Sequence, residues 1–271
     1  MTSLYVVGTP IGNLEDISLR AIRILKEVAL IASEDTRTTR HLLTRFDIHT
    51  TLTSYFEHNK TTKLGYLLKV LESASVALVS EAGMPGISDP GYELVVAAQS
   101  AGVSVVPVPG PSAAVTALAV AGLPTDRFYY LGFLPRHGND RRRYLTEAVN
   151  VTATIVAYEA PHRLNETLRD IMSILGNRRV AVCRELTKIH EEVFRGTVEE
   201  AVAHFEAPRG EFTLVIAGAA PKDKGMPQDE LINRIKELKG TGQSAKESTA
   251  ILSSVSGLSR KEIYELWLKT N

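Results

Sequence analysis

The chain has 271 residues, 44% of them hydrophobic and 23% charged, the proportions of a soluble globular protein with enough chain for two domains or one large one. Lys plus Arg and Asp plus Glu number 31 each, so the whole molecule has no general attraction for polyanions and any such contact must come from a local patch. The single cysteine excludes an intramolecular disulfide and a cysteine metal cluster, and no apolar run is long enough to span a bilayer.

The first strand signal, "LYVVG", begins within a few residues of Met1 and leaves no room for a secretion signal. With the lone Cys183 set in the buried-strand pattern "RRVAVCREL", this predicts a cytoplasmic protein. Further strands follow at "VALIAS", "SVALVSE" and "VSVVPVPG". Helical patterns lie between them: Leu19, Ile22, Leu25 and Val28 share one face, and Leu64, Leu67, Leu68 and Leu71 another. A further helix, "GYELVVAAQSAG", closes on Gly102, a residue suited to positive φ after a helix. Continuous apolar strands alternating with helices predict a mostly parallel α/β sheet, covered on both faces, over residues 1–123.

"AGLPTDRF" then marks a domain junction. Beyond it, "FYYLGFL", "ATIVAYEA", "RRVAVCREL", "EEVFRG" and "EFTLVIAG" follow with fewer and shorter helices. "HEEVFRG" comes so soon after "VAVCREL" that the two predict an antiparallel pair, and residues 124–220 are expected to form a second α/β domain with a mixed sheet. For residues 221–271 the expectation is an exposed linker, "PKDKGMPQDE", and a small helical region. Its helices are "KESTAILSSVSG" and "SRKEIYELWLK", the second capped by Ser259.

Three loops at strand ends carry the chemical signal. "GTPIGN" has glycines at the wrong spacing for a dinucleotide fingerprint and no lysine for a phosphate loop. Pro10 also removes an N–H donor, which disfavours phosphate; taken alone the stretch reads as an ordinary strand-to-helix turn, with close approach of a flat ligand to the backbone left open. "SEAGMPGISDPGYE" is denser in Gly and Pro than a plain connection needs, and it places Glu81 at a strand end, where open α/β sheets bind ligands. "VPGPSA" places Ser112 at the next strand end, as ligand contact or as simple helix cap.

Taken with "SEDTRTTRHLL", "YEAPHRL", "RELTKIHEEVFRG" and "GEFTLVIAG", these motifs are similar, in order from Leu4 to Gly218, to the ribosomal RNA small-subunit methyltransferase I family. That family has the two-domain tetrapyrrole-methylase fold. Glu81 stands where the family usually has aspartate, Met84 where threonine is common, and Arg209 where lysine is common. The resemblance implies that S-adenosylmethionine (S-adenosyl-L-methionine) lies between two walls. One wall is Thr9, Pro10, Glu81, Gly83, Met84, Ser112 and Ala113; the other is Glu159, Ala160, Leu186, Glu211 and Thr213. It also implies a homodimer and 2′-O-methylation of a decoding-centre cytidine in 16S rRNA, within free rRNA or the 30S subunit.

Methyl transfer from a sulfonium to a hydroxyl needs alignment and a proton acceptor, but no metal. Acceptor candidates are Glu34 and Asp35 after one strand, and Glu185 and Lys188 after another; the catalytic expectation falls on Lys188, Glu185 and Asp35. Lysine serves only with a lowered pKa, and otherwise neutralises a phosphate. His137, His162 and His190 are scattered and form no metal-ligand spacing. The RNA-contact expectation falls on "LPRHGNDRRRYL", with Arg136, Arg141, Arg142 and Arg143, and on Arg37 and Arg40. Tyr129 and Tyr130 are alternatively base-stacking or strand-core residues. Two other readings stay open from sequence: a small-molecule methyltransferase of the same fold, and a non-catalytic ribosome-assembly factor.

Overall fold

Runs of β-branched residues alternate with amphipathic helices through the first 120 or so residues, and the backbone follows that alternation. The computed structural model describes residues 2–220 and 226–270. Strands β1 (Ser3–Val7), β2 (Leu30–Ser33), β3 (Thr51–Ser54), β4 (Val76–Val79) and β5 (Ser104–Val108) form an all-parallel sheet in the order β3-β2-β4-β1-β5. Helices α1 (Leu19–Glu27), α2 (Thr36–Arg45), α3 (Lys60–Leu71), α4 (Tyr92–Ser100) and α5 (Ala113–Val120) follow the strands.

Side chains alternate along each strand, so the sheet feeds two cores. Val7, Ile31, Ala77 and Val79 meet α1 and α2 through Ile24, Leu25, Leu42 and Leu43. Leu4, Leu30, Ala32 and Leu78 meet α3 and α4 through Leu67, Leu71, Leu94 and Ala98. Two details depart from the sequence reading. Leu19 is exposed, because the first residue of a helix leans past its start, and Ala21, Ile24, Leu25 and Val28 carry the packing. β3, "TLTS", has no apolar run to announce it; it is a half-covered edge strand held by its pairing with β2.

The second sheet comprises β6 (Phe128–Phe133), β7 (Thr154–Glu159), β8 (Arg179–Arg184), β9 (Glu192–Thr197) and β10 (Phe212–Ile216), in the order β6-β7-β10-β8-β9. It is mixed, as expected: β6 and β7 are parallel and the other pairs antiparallel, including β8 with β9. Helices α6 (Gly138–Glu147), α7 (Leu164–Leu175) and α8 (Val198–His204) cover one face. The other face, with Val156, Ala181, Cys183 and Val215, packs on Ala114, Ala117 and Leu118 of α5. Cys183 is buried there as predicted, and burial pushes its thiol up to about 11.

The chain divides into two compact units, Met1–Gly218 and Ala219–Asn271, so both sheets belong to the first. Of the expected linker, residues 221–225 lie outside the described residues, and Gln228–Glu230 instead begin a helix that the sequence reading did not include. The second unit contains α9 (Gln228–Gly240), α10 (Ala245–Ser256) and α11 (Arg260–Lys269) around Leu231, Ile235, Leu252, Ile263 and Trp267. Ser259 caps α11 in a reciprocal arrangement with Glu262. Among the described residues no helix is long and apolar enough to cross a membrane.

Candidate active site

All strands of the first sheet run the same way, so the loops leaving their carboxyl ends meet along one edge. Glycine lets two of them touch. A Cβ on Gly8 would lie 2.7 Å from the Gly110 Cα and from the Met84 Sδ, and one on Gly110 would lie 2.8 Å from the Gly8 backbone. Thr9 then makes an isolated antiparallel bridge to Gly83, donating its N–H at 2.9 Å and accepting at 3.1 Å. Ser112 occupies the N-cap position of α5 but makes no side-chain capping bond, which leaves its hydroxyl for other use.

The opposite wall is built from the ends of β7, β8 and β10. Glu159 is 2% exposed, and its carboxylate accepts from the Ala160 N–H (2.7 Å) and the Thr167 hydroxyl (2.5 Å) while pairing with Arg163 (2.5 Å). After β8, Glu185 and Thr187 adopt φ of +51° and +68°, costing about 1–3 kcal/mol each. Their turn is held from below. Lys188 donates to Glu185 (3.0 Å) and Glu211 (2.9 Å), and the Glu211 N–H donates to Glu185 (2.9 Å). Gly210, at φ +87°, passes so close that a Cβ would lie 2.5 Å from the Glu185 Cγ.

A cleft of about 740 Å³ lies between the walls. Every residue expected to hold the cofactor lines it: Thr9, Pro10, Glu81, Gly83, Met84, Ser112 and Ala113 on one side, Glu159, Ala160, Leu186, Glu211 and Thr213 on the other. Two wall-to-wall hydrogen-bonded links run through tyrosine: Tyr130 with Ser88 (2.7 Å), and the Ala114 N–H to the Tyr158 hydroxyl (3.2 Å). Tyr130 is thereby occupied with packing, the second of its two readings.

The proton-acceptor candidates separate by their partners. Asp35 is the N-cap of α2; the Arg37 guanidinium and N–H bind its carboxyl and hold it below the usual range, and it does not line the cleft. Glu185 is outside the cleft lining as well. Burial pushes its carboxyl up, but bonds from Lys188 and the Glu211 N–H outweigh that and hold it low. Lys188 reaches the cleft, and burial pulls its ammonium down, but bonds to Glu211 and Glu185 reverse the effect and keep it protonated. Each of the three residues on which the catalytic expectation falls is thus held in its charged form by its partners, and Lys188 alone lines the cleft.

Glu34 and Asp89 do line the cleft, beside Glu81, and none of the three forms an ion pair among the described residues. Burial, opposed by the Glu81 N–H and assisted by the charges of Glu81 and Asp35, raises the Glu34 carboxyl. Burial and the Glu34 charge raise Asp89 to about 6, against the pull of the Ser80 hydroxyl. Sequence reasoning missed Asp89 because "SDPG" is an ordinary turn signature. The signal available was its place at the end of a loop already marked by Glu81.

The arginine expectation also needs correction. Arg141 is 2% exposed; its guanidinium binds Asp170 (2.7 Å) and Glu166 (3.4 Å), because Arg141 and Leu145 form the buried face of α6. It is an internal strut between α6 and α7, not an RNA contact. Arg136, Arg142, Arg143, Arg37 and Arg40 are exposed, and none lines the cleft. Among the described residues no group of three or more His, Cys, Asp or Glu is placed to hold a metal.

The cleft fits S-adenosylmethionine by size and by charge. Its volume is that of a small-molecule site. Among the described residues Lys188 is the one lysine or arginine lining it, already neutralised by two carboxylates, whereas Glu34, Glu81 and Asp89 stand ready for a cationic ligand without phosphate.

A family model described as Tetrapyrrole (Corrin/Porphyrin) Methylases matches residues 3–202. Ribosomal RNA small subunit methyltransferase I of Halalkalibacterium halodurans is 48% identical, covering 98% of this chain and 94% of that protein. The same-named proteins of Synechocystis sp. and Escherichia coli O157:H7 are 44% and 42% identical, covering 99% and 98% of this chain and 98% and 94% of theirs. Among solved structures, diphthine synthase (TM-score 0.64, 15% identity) covers 80% of this chain and 90% of that one. Uroporphyrin-III-C-methyltransferase from Thermus thermophilus (TM-score 0.54, 21% identity) covers 79% and 94%. Both share its fold.

Proposed function

This chain belongs to the tetrapyrrole methylase family and, within it, to the ribosomal RNA small subunit methyltransferase I group, and we propose that it methylates the ribose 2′-hydroxyl of a decoding-centre cytidine in 16S rRNA. It is an S-adenosylmethionine-dependent methyltransferase acting on small-subunit rRNA. The observation that carries the finer reading is the cleft itself: an acidic chamber for the donor, with every exposed arginine outside it. An acidic chamber repels phosphates, so RNA lies across the outer arginines and admits one nucleoside to the acids.

When bound, S-adenosylmethionine supplies a methyl group made electrophilic by its sulfonium. Thr9, Gly83, Ser112 and Thr213 would hold it, with Glu81 available to its positive charge. Asp89 would accept the proton that the 2′-hydroxyl gives up on methylation; burial, with the charge of Glu34 beside it, raises its carboxyl and makes it the more basic. Lys188 serves as a brace that fixes Glu185 and Glu211, and with them the turn carrying Leu186.

Residues 1–123 act as the first wall, 124–220 as the second, and 221–271 as a linker and small helical region. The protein works in the cytoplasm as a homodimer. Exposed Val115 and Val120 on α5 and Phe128 and Tyr129 on β6 supply apolar surface for pairing. Light scattering tests the dimer.

The function is tested by incubating the protein with labelled S-adenosylmethionine and 30S subunits lacking the modification, or free 16S rRNA, and mapping the label. The expected result is ribose-linked label at a single cytidine. Base-linked label, or transfer to a small molecule but not to RNA, would overturn it.

A further inference from the structure

Phe133, the last residue of β6, is 58% exposed, yet it lines the cleft. An irregularity in the strand puts it there. β6 pairs with β7 as Tyr130↔Val156, Gly132↔Ala157 and Phe133↔Tyr158, so Leu131 is an extra residue in a β-bulge, and Gly132 takes φ of +66°. Without the bulge, strict alternation would place Phe133 opposite to Tyr130, on the face covered by α6 and α7. With it, Phe133 returns to the face of Tyr130 and Tyr158, its ring 5.2 Å from that of Tyr158 at 60°.

The ring thus has one side supported by an aromatic neighbour, while more than half of the residue is open to solvent. Ile87, also exposed and also lining the cleft, stands on the loop of the opposite wall. Three residues beyond Phe133 the chain reaches Arg136, and α6 then presents Arg142 and Arg143, all exposed. Phe212, another aromatic lining the cleft, is buried and has no open face. Tyr158 is committed to its bond with α5.

We propose that Phe133 is the platform on which the target nucleobase stacks when its ribose enters the cleft. The inference rests on the RNA-methylation reading above and identifies a substrate-positioning residue within it. A duplex or stacked strand does not fit a cleft of about 740 Å³, so the nucleotide must leave the stack to bring its 2′-hydroxyl to Asp89. An open aromatic face at the cleft mouth restores the stacking that the base gives up. The arginines next to it hold the flanking phosphates, which keeps the charged backbone out of the acidic chamber.

The test compares wild type, Phe133→Ala and Phe133→Trp on 30S subunits lacking the modification, with S-adenosylmethionine affinity measured separately by calorimetry. Stacking on an aromatic side chain contributes about 1–3 kcal/mol per base, so Phe133→Ala should lower kcat/KM for the subunit by roughly 5- to 150-fold. Cofactor affinity should stay unchanged, and Phe133→Trp should recover activity to within about twofold, since every base has a π-face to stack. An alanine variant with wild-type kcat/KM would overturn the inference alone. Cofactor affinity lost in parallel with activity would also overturn it, by assigning the ring to the donor. Absence of transfer by the wild-type chain would instead remove the reading on which it stands, and the inference with it.

Discussion

The two walls of the cleft use the same residue type in opposite states. On the wall formed by β7, β8 and β10, Glu159 is paired with Arg163, and Glu185 and Glu211 share Lys188. On the wall formed by the parallel sheet, Glu34, Glu81 and Asp89 crowd one another and form no ion pair among the described residues. A paired carboxylate is stabilised in its charged form and holds structure. Glu34 and Asp89, part-buried beside other carboxylates, resist ionising and are ready to take a proton. The lesson is that an acid's partners, more than its position after a strand, divide scaffold from chemistry.

The largest expected break in this contrast comes from Asp89→Asn. Loss of a general base costs about 10²–10⁴-fold in rate, so methyl transfer should fall at least 100-fold in single-turnover assays while S-adenosylmethionine still binds. A loss of less than threefold would return the base role to Glu34. Glu159→Ala attacks the other wall. It leaves the nearly buried Arg163 without its partner, and about 3–5 kcal/mol of stability should disappear in denaturant unfolding. Arg141→Ala should act likewise through Asp170, a destabilisation that no surface RNA contact would produce.

Acid sharpens the comparison further. As pH falls through about 6, Asp89 takes up a proton and the single-turnover rate should drop tenfold per pH unit, a limb absent from the Asp89→Asn profile. Stability moves the opposite way. A carboxyl raised from 3.8 to about 6 contributes stability that is complete below pH 4 and lost as pH rises through 6. The asparagine variant should therefore melt higher than wild type at pH 7.5, checked by calorimetry. The smallest effect belongs to Arg143→Ala, an exposed side chain outside both walls. Stability should change by less than about 0.5 kcal/mol, and the salt dependence of RNA binding should lose about one unit of slope.

Much of this molecule is legible in its sequence. The parallel sheet follows from short apolar runs alternating with helical periods, and the mixed sheet from "HEEVFRG" lying too close to "VAVCREL" for a crossover. The cofactor loops declare themselves through glycine and proline, which mark tight backbone wherever they occur. β3 was silent because an edge strand needs no apolar run, and Leu19 misled because periodicity does not say which turn of a helix reaches the sheet.

The arginine run shows where such reading stops. Arg141, Arg142 and Arg143 are alike as letters, but a helix turns 100° per residue, so Arg141 is buried against α7 on Asp170, Arg142 reaches the same carboxylate from a half-exposed position, and Arg143 faces solvent. Asp35 and Asp89 both lie in segments that follow a strand, two residues after β2 and ten after β4; one meets Arg37, the other Glu34. Phe133 needed a single extra residue in β6 to change faces, a displacement invisible in any composition or period. Sequence alone determined the elements, their order and the backbone shape of the loops, because those depend on neighbours along the chain. Tertiary structure alone decided which acids are paired, which arginine is buried and which aromatic ring is open, because charge and burial depend on groups brought close from distant parts of the chain.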